Sequence, residues 1–174
     1  MIKTIYFVRH GHFQVPHPRP QIDETQQISL SVTGIEEILE LAHKLKSLDP
    51  EIKNIFTSPY IRTMESAKLF SKVFGIEVVI RDDLMEDQLG EGEIKHLEEV
   101  FKRMKRCIDE CLARDGNTII ISHRFPISLF INRQSGLKYE DIVKNKHKLT
   151  LLKTAECLKI TYTDGKFTDQ QKIT

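Results

Sequence analysis

Three polar groups in the sequence combine histidine, arginine and serine in a way that suits phosphate chemistry. Arg9 and His10 follow one apolar segment, Ser58 and Arg62 follow a second, and His123 follows a third. Arginine offers pairs of N–H donors that match two oxygens of a phosphate ester. A neutral imidazole, whose reference pKa is about 6.5, can act as a nucleophile. The three groups together therefore predict a site for phosphoryl transfer.

Each of these side chains has a definite task in such a reaction. The transition state spreads charge over the phosphoryl oxygens, which Arg9 and Arg62 could stabilise from two strand ends. An acceptor on the other ring nitrogen of His10 would fix its tautomer, and Gly11 lets the backbone approach the phosphate closely. Beside the same anion, we expect His123 to favour its charged form and to act as a further donor.

The leaving group of an alkyl phosphate needs a proton, and an acidic loop is available to supply it. Glu86 lies in the polar segment of residues 82–92, which can fold over the site and bring a general acid. Asp83 and Asp87 share this segment. They remain alternatives for the same role. The sequence therefore predicts that this loop supplies the general acid, and Glu86 is one of three candidates in it.

The elements that must position these groups follow from apolar periodicity. Predicted strands cover residues 2–8, 52–57, 77–80, 117–122, 148–152 and 157–163, with a turn at 164–165. Predicted helices begin after Ser31 or Thr33, near Pro59, after residue 92 and near Pro126. Because strands alternate with helices, we expect an α/β fold, in which ligands bind beyond the carboxyl ends of the strands. The three polar groups lie at such ends.

Size and composition limit the possible partners. With 174 residues the chain suits a single domain, residues 1–174, and its net charge of +1 gives no reason to expect nucleic acid as a partner. Its apolar runs are too short to suggest a membrane span or a signal peptide. The three cysteines suggest free thiols in the cytoplasm. Cys107 and Cys111 share a helical face, as core residues or as a redox or metal pair.

Five motifs follow one another along nearly the whole chain. They are Arg9-His10-Gly11, Leu30-Ser31-x-x-Gly34, Ser58-Pro59-x-x-Arg62-Thr63-x-x-Ser66-Ala67, Leu84-x-Glu86-x-x-x-Gly90 and Ser122-His123. In this order they resemble the histidine phosphatase superfamily, in its phosphoglycerate-mutase-like branch. The resemblance implies a three-layer α/β/α sandwich around a mixed, mostly parallel sheet.

The resemblance also implies roles for the site residues. His10 would become a phosphohistidine, Arg9, Arg62 and His123 would hold the phosphoryl group, and Glu86 would be acid and then base. The partner would be a small phosphorylated substrate, with no metal ion or other cofactor. We add Gly11, His12, Ser58 and Arg124 as expected substrate contacts. The sequence carries no signal for an oligomeric state.

The chain departs from the family pattern at several positions near the expected phosphate. His12, Phe13 and Pro16 stand where the family usually has small polar residues, and Arg124 replaces the usual glycine after the second histidine. Arg124 either adds a cation to the pocket or narrows it. We expect the loop of residues 12–29, which also contains His17 and Arg19, to determine the substrate.

The sequence leaves four alternatives to a metabolite phosphatase. One is a phosphoglycerate-type mutase, and another is a phosphatase of phosphohistidine on proteins, whose leaving group needs little acid help. A third is a module that binds phosphorylated ligands without turnover. The last is a metallohydrolase built on His10-x-His12, although no convincing set of His and Asp ligands follows it downstream.

Overall fold

The structure, a computed structural model, describes residues 1–15, 23–87, 94–144 and 149–173, and this part contains six strands and five α-helices. The strands are β1 (Ile2–Arg9), β2 (Ile52–Thr57), β3 (Val78–Ile80), β4 (Asn117–Ser122), β5 (Cys157–Thr163) and β6 (Lys166–Ile173). The helices are α1 (Val32–Leu48), α2 (Ile61–Phe74), α3 (Ile94–Ala113), α4 (Arg124–Gln134) and α5 (Tyr139–Lys144). Asp23–Gln27 and Asp82–Leu84 form short 3₁₀ helices.

The strands form one sheet in the order β3-β2-β4-β1-β5-β6. The first four run parallel, and β5 and β6 are added antiparallel. Arg9 is level with Ser122, and Thr57 is level with Ile121, so β1, β2 and β4 end at the same edge. This confirms the expected mixed, mostly parallel sheet, and it brings the segments after these strands together.

Helices cover both faces of the sheet, because the central strands are apolar on both sides. On one face, Phe7 and Ile120 pack in a cluster with residues of α3 and α4 such as Met104 and Phe130. On the other, side chains such as Val8 pack in a cluster with residues of α1 and α2. Burying each such side chain stabilises the fold by about 1.5–3 kcal/mol. The three-layer architecture is therefore confirmed.

The elements after β4 differ most from the sequence-based prediction. The strand predicted at residues 148–152 is wrong over its described part, because Leu149 and Leu152 are buried without pairing in the sheet. Residue 148 lies outside the described residues. The real partner of β5 is β6, which is largely exposed and polar and so has no apolar signature. The predicted turn between them is confirmed at Asp164 and Gly165, both at positive φ.

Helix ends were predicted more accurately than this last part of the sheet. Ser31 is the N-cap of α1, and its side chain accepts a hydrogen bond from the backbone N–H of Gly34. Helix α2 ends at Gly75 in the left-handed conformation, as its sequence indicated. Helix α4 begins at Arg124, directly after His123, rather than near Pro126. No described helix is both long enough and apolar enough to cross a bilayer.

Candidate active site

The candidate site lies where β1, β2 and β4 end. The backbone N–H of His10 donates to the carbonyl of Ser122 at 3.2 Å, and that of Ser58 donates to the carbonyl of Ile121 at 3.1 Å. These bonds extend the strand pairing by one residue. As a result, the residues that follow three different strands are held side by side, as the sequence predicted.

The ring of His10 is buried and held at both nitrogens. Its Nδ1 lies 2.9 Å from the carbonyl of Gly11, and its Nε2 lies 3.2 Å from the Nε of Arg62. Since the guanidinium can only donate, Nε2 is the acceptor and the proton is on Nδ1. Burial, and then the charge of Arg62, lower the pKa of His10 to about 3. The imidazole is therefore neutral, with its lone pair on Nε2.

Arg62 connects the two histidines. Its Nη2 lies 3.1 Å from Nδ1 of His123, and its Nη1 donates to the carbonyl of Thr25 at 2.5 Å. The guanidinium also lies 5.0 Å from the centre of the Tyr60 ring. Burial is the main cause that lowers the pKa of Arg62. The side chain nevertheless stays charged, because an arginine starts from a pKa above about 12.

His123 is fully buried, and its tautomer also follows from its neighbours. Because Nδ1 accepts from Arg62, Nε2 carries the proton and donates to the Oγ of Ser58 at 2.8 Å. Burial lowers the pKa of His123 well below its usual value, and His10 and Arg62 lower it further. The ring is neutral in this structure, which differs from the charged form that we expect beside a bound phosphate.

Glu86 lies at the cleft with its side chain 21% exposed. Its Oε1 accepts from the backbone N–H of Asp87 at 3.0 Å, and its Oε2 lies 3.9 Å from Nδ1 of His123. Burial raises the pKa of Glu86, against the opposing effects of the Asp87 backbone hydrogen bond, the charges of Arg62 and Arg9, and a hydrogen bond from the Phe125 backbone. Glu86 therefore holds a proton more readily than an exposed carboxyl does, as a general acid requires.

The two alternative acids are engaged with helix α3. Asp83 accepts from Arg106 at 2.6 Å. Asp87 lies 2.8 Å from Nε2 of His96 and accepts from Arg103 at 3.2 Å. Because cations partner both aspartates and burial raises the pKa of Glu86, the structure favours Glu86 as the acid.

Arg9 contributes the second guanidinium of the site. Its Nη1 donates to the carbonyl of Leu152 at 3.0 Å. Its Nε is buried without a hydrogen-bond partner among the described residues. Buried donors rarely stay unpaired in folded proteins, and Arg9 also lines the cleft.

Arg9, Arg62 and Glu86 border a cleft of about 270 Å³, whereas the buried rings of His10 and His123 are not part of its lining. That volume lies near the lower end for small-molecule sites, about 300–1,000 Å³. Its polar lining is Arg9, Thr25, Arg62, Glu86, Asp87 and Arg124, and its apolar lining is Phe13, Val15, Ile28 and Phe125. The arrangement can take a small anion at its basic end and an organic group against its apolar wall.

The remaining predicted contacts lie in different places. Arg124 lines the cleft and is exposed, and its guanidinium forms no hydrogen bond or ion pair with any other described residue. His12 is exposed and is not part of the cleft lining; its Nδ1 lies 2.8 Å from the Oγ of Ser31. Ser58 contacts His123 rather than the cleft, and Gly11 donates to Ser66 through its N–H at 3.3 Å. His17 and Arg19 lie outside the described residues.

The apolar wall and the Thr25 carbonyl were missed in the sequence, because the loop that carries most of them has no periodicity. Tyr60 was also missed, although it lies within the motif around Ser58, and its ring centre lies 4.8 Å from that of His123. Among the residues that the structure describes, no three or more His, Cys, Asp or Glu side chains are grouped so that they could hold a metal ion.

Comparisons with known proteins place the chain in a family. The family model of the histidine phosphatase superfamily, branch 1, matches residues 5–99. The transcription factor tau 55 kDa subunit of Saccharomyces cerevisiae is 32% identical over 85 residues, which are 46% of this chain and 20% of that protein. The chain thus spans one fifth of the length of this relative.

Two further proteins match over most of the chain. The 2,3-bisphosphoglycerate-dependent phosphoglycerate mutase of Thermoplasma acidophilum is 24% identical over 153 residues, 75% of this chain and 76% of that protein. The structure of a mycobacterial glucosyl-3-phosphoglycerate phosphatase aligns with a TM-score of 0.73 and 16% identity, covering 98% of this chain and 96% of that one. This structural likeness shows the fold. Since the family model covers more than half of the residues, the chain belongs to the histidine phosphatase superfamily, branch 1.

Proposed function

We propose that the protein hydrolyses small phosphate monoesters through a phosphohistidine on His10, without a metal ion. The observation that carries the proposal is the ring of His10, whose Nδ1–H is held by the Gly11 carbonyl at 2.9 Å. This hydrogen bond leaves the lone pair of Nε2 on the side of Arg62. A neutral, oriented imidazole beside a buried guanidinium suits in-line attack on a bound phosphoryl group.

In the first step Nε2 of His10 attacks phosphorus and a P–N bond forms. The P–O ester bond breaks, and its electron pair goes to the leaving oxygen, which takes a proton from Glu86. Arg9 and Arg62 donate to the phosphoryl oxygens, with Arg62 exchanging its bonds to the imidazoles for bonds to the anion. The charge of the phosphate raises the pKa of His123 and favours its protonated, donating form.

In the second step water attacks the phosphohistidine and gives a proton to the carboxylate of Glu86. The P–N bond breaks with its electron pair returning to Nε2, which releases inorganic phosphate and restores His10. A single carboxyl thus serves as acid and then as base. The raised pKa of Glu86 supports the acid role.

The acid also bears on the class of substrate. A phosphohistidine substrate has a nitrogen leaving group that needs little protonation, whereas an alkoxide is a strong base. A partly buried carboxyl with a raised pKa at the cleft therefore favours alkyl phosphates such as sugar phosphates, phosphoglycerates or nucleotides. In this proposal Arg124 and the apolar wall contact the organic part of the ester. Ser58 supports His123, and His12 supports the loop through Ser31.

A mutase, as the Thermoplasma relative is named, is the alternative, because it uses the same first step. It would return the phosphoryl group to a substrate hydroxyl, whereas a phosphatase delivers it to water. Release of inorganic phosphate without a phosphorylated primer separates the two activities. We also place the reaction in the cytoplasm, which the three buried free cysteines support.

The test is a panel of metabolite phosphates offered to chelator-treated protein, with inorganic phosphate as the readout. We expect the wild type to release phosphate and His10→Ala to lose activity about a thousandfold or more. An acid-labile phosphoryl label should be trapped on the wild type alone. His43→Ala, at an exposed histidine of α1, is the matched control and should retain activity. Equal turnover by His10→Ala, or loss of activity with the chelator, would overturn the proposal.

A further inference from the structure

The segment that carries Glu86 is anchored on both sides of that residue. On its N-terminal side, Leu84 is fully buried, and its carbonyl accepts from the Oγ of Ser122 at 2.8 Å. This bond ties the segment to the end of β4, next to His123. It does not by itself fix the direction of the Glu86 side chain, which begins two residues later.

The second anchor comes from helix α3. Arg103 donates through Nη1 to the carbonyl of Asp83 at 2.7 Å, and through Nη2 to Oδ2 of Asp87 at 3.2 Å. Its side chain is only 16% exposed. The other carboxylate oxygen of Asp87 lies 2.8 Å from Nε2 of His96. One guanidinium therefore spans the segment, with a contact before Glu86 and a contact after it.

We propose that Arg103, acting through Asp87, is a positioning residue for Glu86, an inference that rests on the proposed function. The backbone N–H of Asp87 donates to Oε1 of Glu86 at 3.0 Å, so the residue that Arg103 holds is also one of the two, with Phe125, whose backbone hydrogen bonds orient the carboxyl. The other oxygen, Oε2, is thereby left 3.9 Å from His123, on the side of the site.

The energetic reason is the short range of proton transfer. A general acid must lie within hydrogen-bond distance of the leaving oxygen, and a displacement of about 1 Å can reduce the rate about a hundredfold. If Asp87 moves, its N–H moves with it, and the carboxyl of Glu86 keeps only the Phe125 backbone hydrogen bond of the two that orient it. Arg103 should therefore matter for substrates that need the proton and not for those that leave without it.

Arg103 is the better residue to change, because Asp87 borders the cleft and Arg103 does not. The experiment compares Arg103→Met with the wild type on an alkyl phosphate and on p-nitrophenyl phosphate, whose leaving group is a weak base. The measured quantity is kcat/KM. It reports the steps up to formation of the phosphohistidine and so excludes the later attack of water.

We expect Arg103→Met to lower kcat/KM for the alkyl ester by about tenfold and to leave that for the nitrophenyl ester within about twofold. Arg103→Lys keeps the charge but cannot make both contacts at once. Its kcat/KM for the alkyl ester should lie between those of the wild type and Arg103→Met. The matched control is Arg106→Met, which removes a more exposed arginine of α3 that pairs with Asp83 on the same segment. It should leave the ratio between the two esters unchanged.

Equal losses on both esters would show a general structural role for Arg103 and overturn the proposal, as would no loss on either. Thermal unfolding of each variant checks that it is folded. If Arg103→Met does not fold, Asp87→Asn, which keeps the shape of the side chain, is compared on the same two esters and judged by the same outcomes. His10→Ala is measured alongside. Full activity of that variant would reject the phosphohistidine route whatever Arg103 does.

Discussion

At the scale of single residues, Arg62 determines the protonation pattern of the site. It donates to Nε2 of His10 and to Nδ1 of His123, so each ring has one nitrogen that must act as an acceptor. The opposite nitrogens then carry the protons, toward Gly11 and Ser58. One guanidinium thus fixes two tautomers. Mutation of Arg62 would therefore disturb the protonation of both histidines in addition to removing a proposed phosphate contact.

Burial of His10 predicts how stability depends on pH. Its pKa is about 3 in the native state, against about 6.5 in an unfolded chain. Between these values the unfolded chain holds a proton that the buried ring does not, so acid favours unfolding. As the pH falls below 6.5, the wild type should lose up to about 1.4 kcal/mol per pH unit relative to His10→Gln.

Urea denaturation at several pH values between 5 and 7.5 measures this difference. His43→Gln, at an exposed position of α1, is the control for the loss of one histidine. A free-energy difference between wild type and His10→Gln that does not change with pH would contradict the prediction.

At the scale of elements, the strand β1 and the helix α1 meet through two glycines. A Cβ on Gly34 would lie 2.1 Å from the carbonyl oxygen of His12, and one on Gly11 would lie 2.4 Å from that of Gly34. These are backbone atoms, which cannot move aside as a flexible side chain can. The absence of side chains at this crossing lets α1 begin directly beside the turn that follows His10.

Gly34→Ala should therefore displace the turn after His10. We expect the free energy of unfolding to fall by about 1–3 kcal/mol, and kcat/KM to fall with it because the proposed nucleophile, His10, moves. The control is Gly75→Ala, where a Cβ would meet no atom within 4 Å and only the positive φ of 73° is strained. That variant should cost about 1 kcal/mol of stability and keep its activity. Unchanged unfolding and kinetics of Gly34→Ala would contradict this account of the crossing.

The elements that could be predicted from sequence are those whose side chains face a core. β1, β2 and β4 are apolar runs because helices cover both of their faces, and the catalytic candidates follow them directly. β6 could not be predicted, since an exposed edge strand is specified by backbone pairing with β5 and not by side-chain pattern. The contact of Arg62 with the Thr25 carbonyl likewise involves the backbone, so it could not be predicted from the residue type at position 25.

At the scale of the whole molecule, the candidate catalytic residues and the antiparallel strands lie in different parts of the sheet. The candidate catalytic side chains come from the ends of parallel strands and the segments after them, while β5 and β6 extend the sheet on the far side of β1. Tyr162 on β5 is buried, and its hydroxyl has no hydrogen-bond partner among the described residues. Such a group costs stability without serving the site.

Tyr162→Phe should raise the free energy of unfolding by about 1 kcal/mol, with kcat and KM unchanged. The matched control is Tyr6→Phe on the neighbouring strand, because the hydroxyl of Tyr6 donates to Asp49 at 2.8 Å. That variant should be destabilised by about 1 kcal/mol. Chemical denaturation measures the free energy of unfolding of both variants. Destabilisation by Tyr162→Phe would show that the hydroxyl of Tyr162 has a hydrogen-bond partner.

The hydrogen bond from Arg62 to His10 has a further consequence, for chemical selectivity. While Nε2 accepts from the guanidinium at 3.2 Å, its lone pair is occupied and the ring is protected against uncharged electrophiles. Such a molecule offers the guanidinium no better acceptor. A phosphate does, because its oxygens compete with the imidazole for the same N–H groups. In the proposed mechanism the phosphate therefore frees the imidazole that attacks it, and until a phosphate binds, the ring is shielded from alkylation by uncharged electrophiles.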